Sequence, residues 1–92
     1  MPKTKLEMYV DVLNILAQNN LHKTDDIADG LNISFKELKI CLTFLLKQGL
    51  VDKRKVGNYI EDYLITQGGI RVLRYFNELK QGLPMRGEIN RS

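Results

Sequence analysis

The stretch from Thr24 to Gly49 constrains the fold more than any other part of the chain, because it holds the start and stop signals of two consecutive helices. Thr24 and Ser34 are predicted N-caps, since a hydroxyl can accept a hydrogen bond from an unpaired amide of the first turn. Ser34 and Glu37 have the S-x-x-E spacing of a capping box. Gly30 is predicted to end the first helix in the left-handed conformation, and Gly49 to end the second.

The second of these helices, predicted over about residues 34–48, has two chemically different sides. Apolar residues at three- and four-residue steps predict a buried side formed by Leu38, Cys41 or Leu42, Leu45 and Leu46. The opposite side carries Lys36, Lys39, Thr43 and Lys47. A short helix, a tight turn and a capped helix with a basic face are the parts of a helix-turn-helix, whose second helix reads the major groove of DNA.

Three further elements surround this pair of helices. A first helix is predicted from about residue 5 to 20, and a two-stranded hairpin over about residues 50–65. Gly57 and Asn58 supply turn chemistry within residues 56–61. A last helix is predicted over about residues 67–81, capped by Thr66.

The ends of the last helix also carry signals. Gly68 and Gly69 allow a close backbone approach at its start, whereas Gly82 and Pro84 are predicted to stop it. The chain is therefore expected to be mainly α with a small β-hairpin (α+β). We expect one domain over residues 1–83, followed by a polar, frayed tail over residues 84–92.

The first and last helices each carry two apolar stripes, which is more than one buried face requires. Either such a helix runs through the centre of the core, or it packs against a second chain. The sequence leaves both possibilities open.

The charge of the chain is unevenly distributed. The formal net charge of the 92 residues is only +3, but residues 34–60 hold six basic and two acidic residues. A basic region centred on the second motif helix and the hairpin suits a polyanionic partner such as nucleic acid. A lysine face kept for solubility is the alternative explanation.

Composition argues against several other classes of protein. No apolar run approaches the length of a membrane span, and the N-terminal residues lack the apolar core of a signal peptide, so we expect neither a membrane protein nor export. Cys41 and His22 are too few and too far apart to suggest a metal site. The chain has no phosphate-binding glycine loop and no recognisable catalytic set, so we expect no enzyme, cofactor or small-molecule ligand.

The predicted order of elements is helix, helix-turn-helix, hairpin and helix. Five motifs along this order resemble those of the small archaeal winged-helix DNA-binding proteins, a group of chromosomal proteins, regulators and archaeal-virus proteins. They are a K-x-L-E-type opening at Lys3/Lys5-Leu6-Glu7, T-x-x-I-A ending at Ala28, L-x-I-S-x-x-x-L at Leu31–Leu38, L-x-x-L-x-x-x-G-L-V at Leu42–Val51, and Y-x-I-T-x-x-G at Tyr63–Gly69. The resemblance implies a winged helix-turn-helix with a C-terminal dimerisation helix.

The resemblance also implies a homodimer joined by the terminal helices, and a location in the cytoplasm with the nucleoid, or in the host cytoplasm if the protein is viral. The expected interface residues are Met8, Val12, Ile15, Val72, Tyr75, Leu79 and Leu83. Members with a longer C-terminal helix form an elongated coiled coil. Because Gly82 and Pro84 interrupt the helix here, we expect a compact dimer.

The expected partner is double-stranded DNA. The second motif helix (about residues 34–48), called the reading helix below, would bind in the major groove, and a basic wing (about residues 52–62) would bind the backbone or the minor groove. The candidate contact residues are Ser34, Lys36, Glu37, Lys39, Ile40, Thr43, Lys47, Lys53, Arg54, Lys55 and Asn58. Such a protein would act as a transcriptional regulator. The alternatives are an architectural chromatin protein that binds without sequence preference, and a winged-helix module that binds another protein.

Overall fold

The computed structural model of the protein describes residues 4–18 and 23–80, except for the side chains of Ile60 and Glu61. Its elements are α1 (Lys5–Gln18), α2 (Thr24–Leu31), α3 (Phe35–Lys47), β1 (Val51–Val56), β2 (Tyr59–Ile65) and α4 (Gln67–Lys80). The expected order of helix, helix-turn-helix, hairpin and helix is therefore confirmed. His22, the predicted helix end at Gly82 and Pro84, and the tail over 84–92 lie outside the described residues. No helix in the described ranges has the length and apolarity to cross a membrane.

Helix α1 occupies the centre of the fold. It contacts α2, α3, α4 and β2, and its residues Val10, Val12, Leu13 and Leu16 are buried. They form one apolar cluster with residues of every other helix and of both strands, among them Ile27, Leu38, Leu45, Val51, Tyr63 and Leu73. The two apolar stripes of α1 are thus explained by its central position within a single chain.

Helix α2 begins and ends differently from the prediction. Thr24 is its first helical residue and not its N-cap, which is Lys23, and the Lys23 side chain makes no capping hydrogen bond. Gly30 lies inside the helix, while Asn32, at φ 56°, adopts the left-handed conformation that was expected of Gly30. Gly30 instead leaves room for the Ile15 side chain of α1, because a Cβ atom there would lie 2.6 Å from Ile15 Cδ1.

Helix α3 begins and ends as predicted. The Ser34 hydroxyl accepts a hydrogen bond from the Glu37 amide at 3.1 Å, and the Glu37 carboxylate accepts one from the Ser34 amide at 3.2 Å. These two bonds are the reciprocal pair of a capping box. Gly49 follows the helix at φ 73°, so the second predicted stop is also confirmed.

Strands β1 and β2 form an antiparallel hairpin joined by Gly57 and Asn58. Of these two residues, Gly57 alone has a positive φ (63°), the pattern of a type II′ turn. The register skips Glu61, because Arg54 pairs with Asp62 and the following Lys55 pairs with Ile60. A bulge of this kind increases the local twist of a hairpin.

The base of the hairpin is joined to the start of α4. The Thr66 hydroxyl donates a hydrogen bond to the Gly49 carbonyl oxygen at 2.7 Å and accepts one from the Gly69 amide at 3.1 Å. A Cβ atom on Gly69 would lie 2.1 Å from the Leu50 carbonyl oxygen. The predicted cap at Thr66 and the predicted close backbone approach are therefore confirmed, and together they fix α4 against the end of α3.

Candidate nucleic-acid interface

The outward side of α3 carries the predicted basic face. Leu38, Cys41, Leu42 and Leu45 are buried against the core, and this orientation turns the other side of the helix outward. The exposed residues of that side are Lys36, Lys39, Ile40, Thr43 and Lys47. Apart from Glu37 near its start, α3 carries no acidic residue.

Two of the predicted contact residues already bind each other. The Ser34 hydroxyl lies 3.2 Å from Glu37 Oε1, and both side chains also bond to backbone amides of the capping box. These bonds favour a structural role for Glu37 over a contact with DNA. They also place the negative charge of Glu37 in the first turn of the helix, where the helix dipole stabilises it.

Several other side chains of α3 have specific intramolecular contacts. The Thr43 hydroxyl donates a hydrogen bond to the Lys39 carbonyl oxygen at 2.8 Å, so its proton is used within the helix. The Lys39 ammonium lies 5.8 Å from the centre of the Phe35 ring, a cation–π distance. Phe44 stacks on Tyr9 of α1, with ring centroids 4.5 Å apart, which ties α3 to the central helix.

The hairpin presents Lys53, Lys55 and Asn58 to solvent, as expected of a basic wing. Arg54 differs from its neighbours, because its guanidinium forms a hydrogen-bonded ion pair with the buried carboxylate of Asp62. Part of its charge is therefore compensated within the wing. Sequence reasoning missed this pair, since nothing local indicates that Asp62 is buried.

The predicted dimer-interface residues fall into different environments. Val12 is 0% exposed, so its assignment to an interface is wrong: the chain itself covers this side of α1. Met8, Ile15 and Val72 are half-buried against the core. Tyr75 and Leu79 are 60% and 53% exposed on α4, whereas Leu83 lies outside the described residues.

A groove lies between the start of α1 and the end of α4. Its volume is about 320 Å³, and it is lined by Leu6, Val10 and Phe76 together with Glu7, Asp11 and Lys80. Leu6, at 52% exposed, and Leu79 leave apolar surface on the two helices that border it.

A second capping box begins α1 and was not predicted. The Thr4 amide donates to the Glu7 carboxylate at 2.9 Å, and the Glu7 amide donates to the Thr4 hydroxyl at 3.1 Å. The T-x-x-E spacing of these residues is the signal that could have revealed it.

Cys41 is a buried free thiol of α3. Burial raises its pKa above the ordinary value, the charge of Glu37 raises it further, and the charge of Lys5 lowers it in part. A thiol with a raised pKa has little of the reactive thiolate at neutral pH, so Cys41 behaves as a small apolar core residue. No cluster of three metal-ligating side chains occurs within residues 4–18 and 23–80.

Comparison with known proteins defines the family. The profile of the winged helix-turn-helix family matches residues 3–83, which include every element described above. The chain belongs to the winged helix-turn-helix family. A search of curated protein sequences found no match.

Solved structures share the fold of this winged helix-turn-helix chain at low sequence identity. A double mutant of Lactococcus lactis ZitR in the apo form has 19% identity and a TM-score of 0.71, over 84% of this chain and 59% of ZitR. A MarR family transcription regulator has 14% identity and a TM-score of 0.68, over 79% of this chain and 51% of its own. An S. aureus MepR mutant bound to an oligodeoxyribonucleotide has 21% identity and a TM-score of 0.66, over 84% of this chain and 66% of the MepR chain. The chain thus spans only 59% of the length of ZitR and 51% of the length of the MarR family regulator.

Proposed function

We propose that this winged helix-turn-helix chain binds double-stranded DNA as a transcriptional regulator. The observation that carries the proposal is the outward side of α3, where Lys36, Lys39 and Lys47 are exposed around Ile40 and Thr43. An α-helix fits the major groove, and lysine ammonium groups can reach guanine edges and phosphates there. An MepR mutant of the same fold was solved with an oligodeoxyribonucleotide, which supports this use of the fold.

The wing extends the proposed contact. Lys53 and Lys55 are exposed on β1, and their charges suit phosphates next to the groove that α3 enters. Asn58 at the tip of the wing can donate to the backbone or to a minor-groove acceptor. Arg54 contributes less to this surface, because it binds Asp62.

We further propose that the protein acts as a homodimer. Tyr75 and Leu79 of α4, with Leu6 of α1, leave exposed apolar surface beside the groove between these helices. A second copy that covers this surface would present two reading helices to one duplex, as paired helix-turn-helix proteins do. The location that follows is the cytoplasm, with the DNA. We also propose that the chain is related to the small archaeal and archaeal-virus winged-helix proteins, a relation that the shared motifs support.

The proposal is tested by selecting duplexes from a randomised pool and measuring the affinity of the best sequence as a function of salt. If about six phosphates are contacted, the affinity should fall about a thousandfold between about 50 and 200 mM salt. Lys36→Ala should weaken the selected sequence more than random duplexes. Lys53→Ala with Lys55→Ala should weaken all duplexes alike and lower the salt slope by about two.

Arg74→Ala provides the matched control, because Arg74 is an exposed cation on α4, which is neither the reading helix nor part of the wing. It should bind like the parent. If the parent binds no duplex at moderate salt, DNA binding is excluded, and a protein-interaction module becomes the better explanation. If the selection enriches no sequence although duplexes bind, the protein is architectural rather than a sequence reader.

A further inference from the structure

Ile40 is exposed at a place where an apolar side chain has no structural use. It is 56% exposed in the middle of the basic side of α3, and it is not among the residues that form or cover the core of the described chain. The other exposed apolar residues of α3 have partners, since Phe44 stacks on Tyr9 and Phe35 lies beneath the Lys39 ammonium. A β-branched residue is also no better than average in a helix, so helix propensity does not explain Ile40.

Thr43 stands one turn further along the same side. Because its hydroxyl proton is bonded to the Lys39 carbonyl oxygen, Thr43 has no donor left for a base edge. What it retains for a partner is its methyl group and acceptor lone pairs. Ile40 and Thr43 are three residues apart and are therefore surface neighbours on a helix, so they form a small apolar strip.

Lysines stand at both ends of this strip. Lys36 and Lys47 are separated by eleven residues, which is about 16 Å along a helix axis. The major groove is about 12 Å wide, so lysines at this separation can reach phosphates on its two sides. The strip between them would then lie over the floor of the groove, where thymine alone among the four bases presents a methyl group.

We propose that Ile40 and Thr43 read thymine by contact with its 5-methyl group. This inference rests on the proposed DNA binding and adds a base preference to it: the selected sites should contain thymine where the middle of α3 meets the groove. Lys36, Lys39 and Lys47 supply the charge that holds the helix in place, Lys36 can also reach a base edge, and the strip adds the discrimination for thymine.

The test replaces the thymines of the selected duplex with deoxyuridine, which removes the methyl group and keeps the hydrogen-bonding edge. The parent should bind the uracil duplex about fourfold more weakly for each contacted methyl, the ratio that corresponds to about 0.8 kcal/mol for one buried carbon group. Ile40→Ala should lower or abolish this ratio. Lys36→Ala is the control, because it should weaken both duplexes equally.

Thr43 offers a second pair of variants. Thr43→Val keeps a methyl group and removes the hydroxyl, so the thymine-to-uracil ratio should persist. Thr43→Ser keeps the hydroxyl and removes the methyl, so the ratio should fall. Because both residues are exposed, these variants should fold like the parent, which circular dichroism can verify.

The outcomes separate this inference from the proposed function. Equal affinity of the parent for thymine and uracil duplexes overturns methyl reading and leaves DNA binding intact. A preference that Ile40→Ala retains in full excludes Ile40 as the reader. Failure to bind any duplex overturns both proposals together.

Discussion

The guanidinium of Arg54 and the buried carboxylate of Asp62 form an ion pair between directly opposed residues of the two wing strands. Arg54 is half-exposed, whereas Asp62 is removed from water. A buried carboxylate loses hydration, and the charged hydrogen bond from Arg54 offsets that loss. The pair therefore holds the wing together next to the bulge, and one of the three consecutive basic residues of β1 is structural.

Replacement of Arg54 is expected to damage the wing more than replacement of its neighbours. Arg54→Ala leaves the Asp62 carboxylate without this partner and should lower the free energy of unfolding by about 1–3 kcal/mol. Lys55→Ala, an exposed neighbour in the same strand, should change it by less than about 0.5 kcal/mol. Urea denaturation of the two variants measures the difference. Equal stabilities would show that the pair contributes nothing net.

The two helix starts of the motif should respond differently to loss of a hydroxyl. Ser34→Ala removes a bond of the capping box and should cost about 1 kcal/mol of stability. Thr24→Ala should cost less than about 0.5 kcal/mol, because Thr24 is the first helical residue rather than the cap. Thermal unfolding of both variants compares them directly. A larger loss for Thr24→Ala would restore Thr24 as the important cap.

The adjacent glycines of α4 make a similarly matched pair. A Cβ atom on Gly69 would lie 2.1 Å from the Leu50 carbonyl oxygen and 2.6 Å from Ile65 Cγ1, so Gly69→Ala must displace backbone. We expect a loss of about 1–3 kcal/mol, and more if the backbone cannot move. Gly68→Ala meets its nearest atom at 3.5 Å and should gain up to about 1 kcal/mol from helix propensity. Calorimetry that finds both variants equally stable would contradict this close contact.

These pairs show which features a sequence can reveal. The capping box of Ser34, the turn at Gly57 and the stop at Gly49 were predictable, because each depends on a few neighbouring residues. The boundary error at Thr24 arose because several adjacent residues can start a helix, and the fold selected Lys23 as the N-cap. The T-x-x-E spacing that begins at Thr4 is equally local, and it is the signal for the capping box that begins α1.

The candidate site was predictable only in part. Periodicity identified the basic side of α3, because a helix with one buried side must turn its other side outward. The same periodicity could not assign Val12, since which stripe of α1 is covered depends on where α2, α3 and α4 lie. The burial of Asp62 likewise follows from the packed hairpin. Tertiary placement, rather than local pattern, separates the residues that are free to bind a partner from those already used.

Ionisation of the single cysteine is expected to lower the stability of the folded protein at alkaline pH. Burial raises the pKa of the Cys41 thiol above its ordinary value of 9.0, so the folded protein holds this proton more tightly than the unfolded chain does. The stability that the protonated thiol contributes to the folded protein is fully present below about pH 9, and it is lost as pH rises through the folded pKa. Cys41→Ala removes buried side-chain atoms, so its free energy of unfolding at neutral pH should be lower than that of the parent by about 1–2 kcal/mol. This difference in the free energy of unfolding should narrow above pH 9, because only the parent loses the contribution of the thiol. Urea denaturation of both proteins at several pH values tests this. A difference in the free energy of unfolding that does not change with pH would contradict it.

Burial also raises the pKa of Tyr63 above its ordinary value of 10.0, so a second loss of stability is expected at higher pH. Tyr63→Phe removes this ionisation and separates it from that of Cys41. The reactivity of Cys41 with a thiol reagent gives an independent measure, since a buried thiol should react slowly until the protein unfolds.

The exposed apolar residues of α4 provide the test of the homodimer. Leu79→Glu places a charge where a partner would bury an apolar side chain, and should raise the dimer dissociation constant about thirtyfold or more. The helix should remain folded, because Leu79 is 53% exposed within the chain. Arg74→Ala, on the same helix, should leave the dimer intact. Light scattering over a range of concentrations measures both.

The same variant links assembly to DNA binding. In a dimer the second reading helix binds at a high effective concentration once the first is in place, so loss of the dimer should weaken binding to a two-half-site duplex far more than to a single half-site. Leu79→Glu should therefore equalise the two affinities, although every residue of α3 is unchanged. A parent that is monomeric at high concentration excludes the homodimer. A dimer that Leu79→Glu leaves intact places its interface elsewhere than on this side of α4.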